Sequence, residues 1–442
     1  MKIRRKAILL ACPMVLLVSY AAASVAGGGA TAIEELGEFI FDDKDLSLNR
    51  NQACVSCHDA DWGGTGPDSI INGAGAVYEG SIPGRFGDRK PPSSAYATPS
   101  PIFHFSKRGE GQFVGGNFWD GRATGERLGN PAADQAQGPF LNPVEQALPD
   151  AACVVYRVSM ASYAPLYEKV WGDNIASIAF PSDTDSLCGQ EGVTIPLSPE
   201  DRAKVELEYD NIALAIAAYE DSPEVNRFSS KFDAQRCGET KLTKQEWRGF
   251  KLFQGKGKCA DCHVSSGRNP VFTDFTYDNL GVPQNPENPA FIADPAFVDL
   301  GLGGFLMRRG EPSAVYEPEL GKMKVPTLRN VDMRPTPDSV KAYTHNGYFK
   351  TLKGVVHFYN TRDVKDRCPG PYTEAEALAT NCWPAPEVAE NVNTDELGDL
   401  GLTDEEEDAI VAFLKTLTDD EHEEDEDEDC GHEKGRHEAC DD

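Results

Sequence analysis

Apolar residues recur at helical spacing in separate stretches of this chain, and the stretches form two matching pairs. Ala32-Ile-Glu-Glu-Leu-Gly-Glu-Phe-Ile-Phe41 puts Ile33, Leu36, Phe39 and Ile40 on one face of a helix. About 200 residues later, Leu242-Thr-Lys-Gln-Glu246 starts another: Thr243 is its N-cap, Glu246 completes a capping box, and Trp247, Phe250 and Phe253 follow at helical intervals. Each opening helix has a closing counterpart. Leu197-Ser-Pro-Glu-Asp201, with Pro199 at the first helical position, leads a helix to about Tyr219, and Leu402-Thr-Asp-Glu-Glu406 leads one to about Leu417. Gly37-Glu-Phe-Ile-Phe41 aligns with Gly249-Phe-Lys-Leu-Phe253, which marks an internal duplication. The Gly- and Pro-rich segments 63–116 and 269–326 carry few periodic signals and are predicted to be ordered loops.

What stands between each opening and closing helix decides the kind of domain. Cys54-Val-Ser-Cys57-His58 and Cys259-Ala-Asp-Cys262-His263 are both of the C-x-x-C-H type. Two thiols at this spacing can each form a thioether to one porphyrin vinyl group, while the adjacent imidazole reaches the iron. One such pentapeptide can also be a disulfide; two copies behind similar helices point to two covalent haems. An opening helix, a haem-attachment loop and a closing helix make a cytochrome c domain. The predicted fold is therefore mainly α, with two tandem class-I cytochrome-c-like domains over residues 27–225 and 226–418. Their long irregular loops pack on the macrocycles, which replace part of a side-chain core.

The N-terminus agrees with this chemistry. Lys2, Arg4, Arg5 and Lys6 precede an apolar run from Ala7 to Val18 and small residues from Ala21 to Ala26, the pattern of a secretory signal peptide over residues 1–26. The run is shorter than the ~20 residues of a membrane span. A lipoprotein at Cys12 is the weaker alternative. A periplasmic or cell-surface location follows, where c-type haem is attached and disulfides persist. Among the remaining cysteines, Cys153–Cys188 and Cys368–Cys382 are spaced to close surface insertions, which leaves Cys237 as a free thiol or an intermolecular partner. The net charge of −30 argues against nucleic acid and anionic membranes and favours a basic partner. Residues 419–442 read as an acidic, disordered tail; Cys430, His432, His437 and Cys440 within it allow a local disulfide or a soft metal.

Eight histidines limit the iron ligands. His58 and His263 are proximal, His422, His432 and His437 lie in the tail, and His104, His345 and His357 remain. Met307, Met323, Met333 and Tyr359 are candidates for the sixth position of the second haem, and spacing alone favours Met323.

From about residue 32 to 418 the chain resembles the bacterial di-haem cytochrome c peroxidase/MauG superfamily. The resemblance rests on the two C-x-x-C-H motifs and on Phe118-Trp-Asp-Gly-Arg-Ala123, Gln135-Ala-Gln-Gly-Pro-Phe-Leu-Asn-Pro-Val-Glu145, Val325-Pro-Thr-Leu-Arg-Asn330 and His345-Asn-Gly-Tyr-Phe-Lys-Thr-Leu352, continued by Phe358-Tyr-Asn360. It implies that the first haem meets hydrogen peroxide and the second relays electrons from a small cytochrome c or an oxidisable protein. Gln135 and Glu145 match the distal pair: a carboxylate moves a proton between the peroxide oxygens, and an amide orients them. Trp119 matches the aromatic residue between the haems. The sixth ligand lies fourteen positions after the His of the H-x-G motif, which from His345 gives Tyr359. A phenolate favours the higher oxidation states of iron, as in the MauG branch.

Departures from the family pattern shape these expectations. No histidine lies between His58 and His104, so the loop ligand that blocks the first haem in the peroxidase branch is missing, and that haem is expected to be open. Gly257-Lys258 stand where MauG has a Trp, on the path to its protein substrate. The family calcium between the haems is expected, with Tyr96 near the place of a ligating Asn. About six extra residues separate Asn330 from His345, an insertion that is cheap in stability. A non-catalytic di-haem electron carrier with both irons six-coordinate is the rival reading.

Overall fold

Thr31 starts the first helix: its hydroxyl accepts from the Glu34 amide while the Glu34 carboxylate reaches back to the Thr31 amide at 2.6 Å. The computed structural model describes residues 30–107 and 111–419. The expected signal peptide and residues 420–442 of the expected tail, with their cysteines and histidines, lie outside the described residues. In the first half of the chain, helices α1 (Ala32–Phe41), α2 (Pro131–Ala136), α3 (Ala151–Met160) and α4 (Pro199–Glu220) enclose a core of Leu36, Ile40, Val154, Val158, Ile212 and Ile216. Gly37 is where α1 meets α4. A Cβ there would overlap the Ala215 carbonyl oxygen, so only glycine lets the two backbones touch. Cys153 and Cys188 form a disulfide that ties α3 to a later turn.

The second half repeats the arrangement with α5 (Lys244–Gln254), α6 (Gly301–Arg309), α7 (Leu352–Thr361) and α8 (Asp404–Lys415). Thr243 and Thr403 both open capping boxes, with Glu246 and Glu406. Gly249 repeats the part of Gly37: its Cβ would overlap the Ala409 carbonyl oxygen of α8. Phe232, Phe253, Phe272 and Phe413 pack edge to face around that crossing. Cys368 and Cys382 form the second expected disulfide.

The two long Gly/Pro segments hold more regular structure than their sequence suggests. Strand β1 (His104–Ser106) pairs antiparallel with β2 (Gln112–Val114), and β3 (Tyr277–Asp278) pairs with β4 (Met323–Lys324). Helix α6 stands where a loop is expected, because Gly301, Gly303 and Gly304 lower its intrinsic propensity. It persists through packing: Leu302 and Leu306 are buried with Phe103 and Tyr277, a small core shared by both halves. The bidentate Arg89–Asp299 pair, at 2.6 and 2.7 Å, adds a charged link across the same seam.

Two expectations are corrected here. Cys237 is disulfide-bonded, not free. Asp419 is not part of a solvated tail: it is buried, accepting from the Tyr96 hydroxyl, the Ser229 amide and the Asn330 side chain. These neutral donors offset the cost of burying the carboxylate. No helix among the described residues is long and apolar enough to cross a membrane.

Candidate active site

Each C-x-x-C-H motif forms a tight 3-10 turn at the mouth of its own cavity. Cys54–Ser56 make the first turn, and Cys259–Asp261 make its counterpart in the second half. None of Cys54, Cys57, Cys259 and Cys262 is in a disulfide, so all four thiols remain for thioether formation.

The proximal imidazoles are held alike. His58 Nδ1 lies 3.0 Å from the Gly64 carbonyl and His263 Nδ1 lies 2.7 Å from the Phe272 carbonyl. A carbonyl only accepts, so Nδ1 carries the hydrogen in both rings and Nε2 is left for a metal. Burial lowers both pKa values, which favours the neutral form a ligand needs.

The first cavity is lined by Cys54, Cys57, His58, Gln135, Glu145, Arg122 and Trp119. Gln135 comes from the last turn of α2, and Glu145 follows the turn at Asn142, whose amide donates to the Glu145 carboxylate at 2.9 Å. The expected distal pair thus shares one cavity with the expected proximal ligand. Burial raises the Glu145 pKa, and Arg122 and Asn142 partly oppose the rise. None of His104, His345 and His357 lines this cavity. His104 is exposed, His345 pairs with Glu387 at 3.1 Å, and His357 pairs with Glu407 at 2.9 Å.

The second cavity is lined by Cys259, Cys262, His263, Tyr359 and Met323. The spacing-based and resemblance-based candidates for the sixth ligand therefore both reach it, whereas Met307 and Met333 do not. Tyr359 projects from α7, and burial pushes its phenol pKa up. Trp119 lines both cavities, with its indole N–H donating to the Lys90 carbonyl at 2.9 Å.

Three lining residues were not singled out from sequence. Arg122 sits over the Phe118 ring at 3.8 Å and pairs with Asp120 at 3.1 Å. Glu220, at the end of α4, is buried, and its pKa is pushed up to about 8. Lys90 lines both cavities, and burial pulls its pKa down to about 7. Arg122 lay inside a quoted motif; Glu220 and Lys90 carried no local signal, because only the fold turns them inward.

These residues fit two covalent haems: paired free thiols, an imidazole with its Nε2 available, apolar walls, and a buried lysine whose acceptors, Thr65 Oγ1 and the Pro91 carbonyl, are neutral. The expected calcium fits less well. The Tyr96 hydroxyl is engaged by Asp419 at 2.6 Å and by the Phe228 amide at 2.8 Å. Among the described residues, the acidic or thiol cluster with metal-ligand spacing is Cys262, Asp278 and Glu396, and its sulfur belongs to a haem-attachment motif.

Comparison with known proteins agrees with this geometry. The family described as di-haem cytochrome c peroxidase matches residues 31–241. The methylamine utilization protein MauG of Paracoccus denitrificans (strain Pd 1222) is 35% identical over 427 residues, covering 94% of this chain and 96% of that protein. Cytochrome c551 peroxidase of Nitrosomonas europaea is 26% identical, covering 73% of this chain and 71% of that protein. The crystal structure of the diheme peroxidase BthA from Burkholderia thailandensis E264 superposes with a TM-score of 0.68 at 28% identity, covering 88% of this chain and 86% of that one.

Proposed function

Because the chain belongs to the di-haem cytochrome c peroxidase/MauG family and is a di-haem oxidoreductase, we propose that its first cavity is where hydrogen peroxide is reduced and its second is where electrons enter. The two haems supply the redox-active iron. The observation that carries the reading is the convergence of Gln135, Glu145 and His58 on one cavity that no second histidine among the described residues lines. Glu145 takes a proton from one peroxide oxygen and returns it to the other, so that water leaves; its raised pKa suits both directions of transfer. Gln135 orients the peroxide, and Arg122 adds positive charge beside the carboxylate. Trp119 couples the two cavities, and Tyr359 would help hold the second haem, with Cys259, Cys262 and His263, as an oxygen donor that favours its higher oxidation states. Residues 27–225 and 226–418 form the two cytochrome domains, exported to the periplasm. The electrons come from a small redox protein or from side chains of a partner protein.

The test is the EPR spectrum of the ferric protein before and after one equivalent of peroxide, without reductant. One high-spin and one low-spin signal that collapse together support the reading. Two low-spin signals unmoved by peroxide would leave the electron carrier as the better account.

A further inference from the structure

Two lysines close the seam between the halves, and their acceptors are neutral oxygens. Lys341 Nζ donates to the carbonyls of Trp62, Asn330 and Met333 at 2.7, 2.8 and 3.0 Å. Lys324 Nζ donates to Ser100 Oγ at 2.8 Å, to Asn117 Oδ1 at 2.9 Å and to the Gly116 carbonyl. Trp62, Ser100, Gly116 and Asn117 belong to the first half of the chain, and Lys324, Asn330, Met333 and Lys341 to the second. Each cage therefore joins the two halves.

The donor chemistry identifies what the cages hold. An ammonium has three N–H donors and no acceptor, and each cage offers three oxygens. A neutral amine at Lys341 would turn its lone pair toward a carbonyl oxygen, so the geometry favours the cation although burial pulls the pKa down. Carbonyl, hydroxyl and amide oxygens are also the donors a calcium ion takes. At the Lys341 cage the two halves are in contact: a Cβ on Gly63 would lie 2.7 Å from Asn330 Cβ and 3.3 Å from Lys341 Nζ. Met333 and Lys341 both lie in the stretch between Asn330 and His345.

We infer that the caged ammonium groups of Lys341 and Lys324 hold the two halves in register in place of a divalent cation, so that this protein needs no calcium. The readouts are metal content and thermal midpoint, neither of which depends on the peroxide reaction. Elemental analysis of the purified holoprotein should find less than about one calcium per ten chains, and EGTA should leave the midpoint and the EPR signals unmoved. Lys341→Met, which removes the shared donor and leaves only the Asn330 carbonyl with another one, the Met333 amide, should lower the midpoint by about 5 °C, and added calcium should not raise the midpoint of the wild-type protein. One calcium per chain that EGTA removes with a fall in midpoint would overturn the inference. So would Lys341→Met and Lys324→Met proteins as stable as wild type. If the variants do not fold, the wild-type calcium and EGTA measurements decide alone.

Discussion

Glu145 and Glu220 are both carboxyl groups whose pKa is raised by burial, yet they should respond to pH in different observables. Glu145 lines the cavity with a hydrogen-bonded Asn142 beside it, so its titration should appear in the rate of the peroxide reaction. That rate should rise with pH through a midpoint above the ordinary carboxylate value, as the base form appears. Glu145→Gln should slow the reaction by about 10²–10⁴-fold and flatten the profile, which stopped-flow mixing with peroxide measures. Glu220 should appear in stability. Its folded-state pKa of about 8 lies above the unfolded value, so its contribution is fully present below the unfolded pKa and is lost as pH rises through about 8. Denaturant titrations should show Glu220→Gln gaining on wild type by on the order of 5 kcal/mol near pH 8.5, and by little at pH 5. Glu145 was legible only through a motif resemblance, since a Gln and a Glu ten positions apart carry no signal by themselves. Glu220 was not legible, because the last turn of a helix reads the same whether it ends in solvent or in a cavity.

At the scale of elements, the paired helices were legible because capping boxes and apolar spacing are local. The duplication also located Gly37 and Gly249, although their reason became visible only at the crossings. Gly249→Ala would drive a Cβ into the Ala409 carbonyl and Gly37→Ala into the Ala215 carbonyl. Each should cost about 1–3 kcal/mol or more, read as a fall in the thermal midpoint. Gly73→Ala is the control: its Cβ would meet nothing within 4 Å, and its midpoint should stay near that of wild type. Helix α6 escaped sequence reading for the opposite reason. Its glycines weaken the local signal, and its stability comes from Leu302 and Leu306 packing against residues distant in the chain.

For the whole molecule, the question is how the two cavities are linked. Trp119 and Lys90 line both, and the Trp119 indole is fixed by the Lys90 carbonyl while its own carbonyl accepts from the Lys324 amide at 2.8 Å. It is therefore tied to both halves as well as placed between them. Trp119→Phe keeps an aromatic ring but loses the indole donor and the more easily oxidised π-system. If Trp119 couples the haems, one equivalent of peroxide should change the EPR signal of the first haem in this variant and leave that of the second. Turnover with a reduced small cytochrome c should fall by about tenfold or more. If both signals still collapse together, the coupling runs through other atoms of the seam, and the role proposed for Trp119 is wrong.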